Sequence, residues 1–257
     1  MNSIIVLEWS FSPADFFEAP IEIRRDNYTL KFADGNVRCE LLASVFDTNP
    51  DVRKTIQLDI ENRFLAYVVV SHESYDLWES TMLRVHPNGN KDYYLNVHDA
   101  IHACTVSTLD IQVTDEHGNV TADTRRDRIM NQESFAERMA NHRNDPSLAV
   151  MIGSFNSAIR DPNHVLSHLY EIREIITTRY GSTAQARAAL EISLTKWSDF
   201  GKLCCDLPLR QGRHAGRKFP ILRDATETEL AEGRSFAQKL ILQYLITLEN
   251  AGSNVNG

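Results

Sequence analysis

An α+β fold is expected, with a mostly antiparallel β-rich first part and a helical bundle after it. Three observations predict it. Apolar residues alternate in twos through residues 21–41. From residue 125 onward they recur every three or four positions. The two regimes meet at a composition shift near residues 121–128, which places a β-rich domain over 1–122 and a helical bundle over 123–257. Alternation puts every second side chain on one sheet face, whereas the longer period builds a helical stripe.

Residues 4–9 form a short apolar run that reads as a strand. Ile21 and Ile23, then Tyr28, Leu30 and Phe32, then Val37, Cys39 and Leu41 follow as three more. Asn27 can turn the first pair, and Asp34-Gly35 suits a hairpin because both residues tolerate positive φ. Asn49-Pro50-Asp51 marks a helix start, with Ile56, Ile60, Phe64 and Val68 as its stripe. Residues 64–70 (FLAYVVV) would also suit a buried strand; a helix ending near Ser71-His72 is preferred. Pro87-Asn88-Gly89-Asn90 predicts a hairpin between strands at 82–85 and 93–97. Residues 105–113 alternate again and turn at 115–119.

In the second part, Ile129, Phe135 and Met139 mark one helix. Asp145-Pro146 and Asp161-Pro162 both read as an acceptor at the cap followed by proline at the first helical position. Gly181 is a natural stop. Ser182 and Ser193 start two further helices, the latter through Trp197, Phe200, Leu203 and Cys204 and ended before Pro208. Thr226 and Glu229 bracket a capping box that opens a long last helix.

The bulk numbers exclude some functions. A formal net charge of -8 argues against a general nucleic-acid coat or membrane-surface binder, so any contact with a polyanion must be local. No run reaches the roughly 18 apolar residues of a membrane span. The N-terminus lacks a basic leader and a cleavage site, and the chain is read as cytoplasmic. Cys39, Cys104, Cys204 and Cys205 contain no CxxC pair and read as small core residues. His98-Asp99-Ala100-Ile101-His102 has the spacing of a helical zinc motif with Asp in place of Glu. Its strand-like flanks and the lack of a downstream ligand argue against a metal. No cofactor is expected.

One stretch stands out. Residues 207–224 (LPLRQGRHAGRKFPILRD) carry Arg210, Arg213, Arg217, Lys218 and Arg223, five cations before the closing aspartate. His214 sits among them, flanked by Gly212 and Gly216, which would let backbone amides approach a ligand. Arg210, Arg213, Arg217 and Lys218 are the candidate anion-binding residues. His214 can exchange a proton near neutral pH, so His214, Arg210 and Arg213 are the candidate catalytic set for phosphodiester cleavage. His168 and Glu171, three apart on a helix, are candidates to support the loop. The competing reading is a basic connection neutralised by Glu171, Glu174, Glu227 and Glu229.

The helices from 145 to 249, the LRQGRHAG segment and the final TETELAEGRSFAQKLILQYLITL helix resemble a HEPN-type domain. That bundle is found in many prokaryotic toxins, defence proteins and RNases, and some bacterial proteins precede it with a β-rich region. The resemblance implies metal-independent RNA cleavage by an arginine, a polar residue and a histidine, at a site completed across a homodimer. Active members set arginine and histidine further apart, commonly at a helix start; here only Gln211, Gly212 and Arg213 lie between Arg210 and His214. The expectation is therefore a non-catalytic interaction and dimerisation module whose basic loop contacts an anionic partner, RNA or a nucleotide. The alternative is a HEPN-like ribonuclease.

Overall fold

A computed structural model describes residues 2–94, 110–114, 117, 119–213 and 220–253. It is α+β, with an antiparallel sheet first and helices after it. The chain divides into two compact units, Met1–Glu61 with Tyr75–Glu133, and Asn62–Ser74 with Ser134–Gly257.

The first unit is built on β1 (Ile4–Ser12), β2 (Ile21–Arg24), β3 (Tyr28–Ala33) and β4 (Asn36–Leu42). β5 (Asp76–Leu77), β6 (Thr81–Val85) and β7 (Lys91–Tyr94) complete an antiparallel sheet in the order β2-β3-β4-β1-β6-β7, with β5 paired to the end of β1. The alternation sets the register: Leu30 opposes Cys39, which opposes Leu7, and Phe32 opposes Val37, which opposes Trp9. All six are buried. Asp34 and Gly35 take φ of 50° and 74°, the positive pair that the Asp-Gly hairpin predicts. On the opposite face Arg38 bonds Glu8 and Glu40, and Lys31 lies 3.6 Å from Glu22.

α1 (Ala43–Thr48) was not expected: it is six residues long, and its first turn has no side-chain cap. α2 (Val52–Ser71) follows and settles residues 64–70 as helix, stopped at His72 with φ 61°. In the first unit Ile56 and Ile60 of α2 are fully buried. Gln57 accepts from the Trp9 indole at 2.5 Å, and Asp59 from the Tyr28 hydroxyl at 2.7 Å. β8 (Gln112–Thr114) and β9 (Val120–Asp123) form a separate hairpin. The expected strand residues 95–97 and 105–109, like the 98–102 motif, lie outside the described residues.

The second unit packs α4 (Pro146–Arg160), α5 (Val165–Tyr180), α6 (Thr183–Ala189), α7 (Leu194–Cys205) and α8 (Glu227–Ser253). α3 (Thr124–Asn141) contributes its last turns, where Phe135, Ala136 and Met139 are buried. Leu148, Ile152 and Phe155 of α4 are buried with Leu169, Ile172 and Ile176 of α5 and Leu240, Ile241 and Tyr244 of α8. Asp145 caps α4 through the Leu148 amide at 2.8 Å, and Ser182 and Ser193 cap α6 and α7. The second Asp-Pro signal behaves differently. α5 begins at Val165, not Pro162, because the Asp161 carboxylate is taken by the Asn163 amide and the His164 ring. Asp161 instead closes α4, its own amide bonding the Ser157 carbonyl. Among the described residues no helix is long and apolar enough to cross a membrane.

Candidate functional site

The described parts of the basic stretch, 207–213 and 220–224, are tied to each other and to the end of α7. Their backbone is pinned at several points. Leu209 is fully buried and pairs with Arg223 in a parallel bridge. The Arg210 amide donates to the Arg223 carbonyl at 3.0 Å, and the Arg223 amide to the Pro208 carbonyl at 2.9 Å. The Cys204 carbonyl, left over at the end of α7, accepts from the Arg213 amide at 2.8 Å. The Gln211 side chain accepts from the Ala225 amide at 3.0 Å and donates to Asp224 at 3.3 Å.

Gly212 does not offer its amide to a ligand. The amide bonds the Leu209 carbonyl at 3.2 Å, and a Cβ there would meet the Cys204 and Leu209 carbonyls at 3.1 and 3.2 Å. The residue is needed for internal closeness. Gly216 lies outside the described residues, as do His214, Arg217 and Lys218.

The described cations differ in how they are engaged. Arg223 makes a two-pronged contact with Glu229 at 2.7 and 2.6 Å. Glu229 also closes the capping box through the Thr226 amide and hydroxyl. The Arg223 hydrogen bonds hold the Glu229 carboxyl down at about 2. Arg213 reaches α5: one guanidinium nitrogen lies 2.5 Å from Glu174, and the group stands 4.9 Å from the Tyr170 ring centroid. The Glu174 hydrogen bond raises the Arg213 pKa. Arg210 is the least engaged of the three, with its side chain 63% exposed and its nearest carboxylate, Asp224, 3.9 Å away.

α5 can receive Arg213 because Tyr170 and Glu174 are four apart and share a helix face. Arg173 supports that face. Its guanidinium lies 5.1 Å from both the Tyr170 and the Trp197 ring centroids, in space left by the missing side chain of Gly201. Burial raises the Tyr170 hydroxyl pKa and also that of the neighbouring Cys205 thiol.

The described partners of the two proposed supporting residues lie on α4 and α5 and at Asp161. Glu171 accepts from the Ser154 hydroxyl at 3.0 Å, and His168 lies 3.5 Å from Asp161 and 3.9 Å from Glu171. Among the described residues of the loop, Arg213 finds its ion-pair partner on α5 in Glu174. The described side chains of the turn include guanidiniums, an amide and one carboxylate. The guanidiniums and the amide among them can hold an anion.

Comparison with protein-family models, with characterised proteins and with solved structures finds no match to this chain.

Proposed function

We propose that residues 207–224 form the contact through which this chain holds a phosphate-bearing partner, RNA or a nucleotide, as a non-catalytic interaction module. The observation that carries this reading is Arg210. It is an exposed, weakly paired guanidinium on a backbone-pinned turn, in a chain whose net charge is otherwise strongly negative. A fixed backbone lowers the ordering cost of binding, and a guanidinium fork matches phosphate oxygens. Arg213 stands in the same turn with its orientation set by Tyr170 and Glu174.

The order of α7, basic turn and long capped α8 supports a HEPN-like reading of the helical half, and with it a homodimer. Incubating the pure protein with a short labelled RNA in chelator tests the proposal. Wild type is expected to bind and leave the RNA intact, and Arg210→Ala to bind more weakly. Cleavage by wild type that disappears in His214→Ala and Arg213→Ala would replace this reading with the metal-independent ribonuclease. An absence of binding would remove both.

A further inference from the structure

Arg210 and Arg213 are three residues apart in one turn, yet their charges are used differently. Asp224 stands 3.9 Å from Arg210, beyond hydrogen-bonding distance. Glu174 lies 2.5 Å from Arg213, on the part of the guanidinium that a phosphate oxygen would take. Carboxylate and phosphate compete for the same guanidinium fork.

We propose that Glu174 is an internal competitor at this site: its carboxylate occupies Arg213 until an anionic ligand displaces it. The inference rests on the reading of residues 207–224 as an anion contact. Three observations make displacement feasible without unfolding. Both side chains face water, Arg213 being 37% and Glu174 47% exposed, so the pair can open by rotamer change. Arg213 has a second anchor, the Tyr170 ring at 4.9 Å, which keeps the guanidinium in place when the carboxylate leaves. Glu174 also lines an open groove of about 630 Å³ with Val150, Ser154, Glu171 and Thr178, which gives its side chain room to swing away.

The ligand therefore meets two cations of different cost. Arg210 is open, while Arg213 becomes available only to an anion that outcompetes a resident carboxylate. A weak or singly contacting anion gains from Arg210 alone. A ligand presenting phosphate oxygens to both arginines recovers the second contact as well.

The test is a binding titration with a short labelled single-stranded RNA, repeated with inorganic phosphate as competitor. Wild type is compared with Glu174→Gln, Arg213→Gln and the double variant. Glu232→Gln, an exposed carboxylate removed elsewhere on α8, controls for net charge. Glutamine keeps the shape of Glu174, and thermal melting checks that each variant is folded. Glu174→Gln is expected to tighten RNA binding about two- to fivefold, the range an exposed ion pair commands. Glu232→Gln should not do so, and the gain should vanish when Arg213→Gln is added. Inorganic phosphate should displace the RNA at lower concentration from Glu174→Gln than its affinity gain for RNA alone accounts for if phosphate itself uses Arg213. Equal affinities for Glu174→Gln and Glu232→Gln, with binding still weakened by Arg213→Gln, would overturn the competitor and leave the anion contact standing. Failure of wild type and Glu174→Gln alike to bind would overturn the anion contact itself.

Discussion

Glu229 shows how the loop's charge is anchored at the level of single groups. Its carboxylate accepts from Arg223 twice and from Thr226 twice, and its pKa falls to about 2. A carboxyl depressed in the folded state contributes stability above its unfolded pKa, and loses it as pH falls through the folded value. The contribution is thus present above about pH 4.5 and lost on the way to about pH 2. Melting temperature followed from neutral to acid pH should therefore fall less steeply across that window in Glu229→Gln than in wild type. The Asp145 carboxylate anchors the second unit by hydrogen bonding. It caps α4 through the Leu148 amide and also accepts from the Tyr244 hydroxyl at 3.1 Å. Asp145→Ala removes both acceptors and should cost about 1–2 kcal/mol in urea unfolding. A loss within a few tenths would show that the cap is replaced by water.

Each element was legible to the extent that its signal was local. Tyr28, Leu30 and Phe32 against Val37, Cys39 and Leu41 carry the sheet's period of two in the sequence itself, and their register follows. The caps at Asp145, Ser182, Ser193 and Thr226 were equally plain. α1 has no cap and no stripe, and Asp161-Pro162 misled because the aspartate serves the turn before α5 and not its first amides. At the site, Arg210 and Arg213 could be picked out by charge. Glu174 could be named only as one of four acidic candidates, and Tyr170 not at all, because which face of α5 meets Arg213 is decided by tertiary packing; among the described residues His168 lies near Asp161 and Glu171 accepts from Ser154. The turn itself depends on Gly212. In Gly212→Ala the added Cβ would press on two carbonyls already committed to the Arg213 and Gly212 amides. Amide exchange should quicken at Arg210, Gly212 and Arg213 and RNA affinity should drop, while the α4 and α5 amides keep their protection. Unchanged exchange in the turn would mean that it has slack the close contacts do not suggest.

Across the whole molecule, a net charge of -8 disfavours a polyanion, so any contact depends on a local cationic surface. Binding should then be confined to the loop, and its salt dependence should count the few arginines involved. For single-stranded RNA each phosphate contact contributes about -0.7 to the slope of log affinity against log salt. The most direct measurement is that slope for wild type and for Arg210→Ala, with a short labelled RNA between roughly 50 and 200 mM salt. A loop that grips phosphate predicts measurable binding whose slope becomes shallower by about 0.7 when Arg210 is removed. Absent binding, or an identical slope and affinity in the variant, would contradict it.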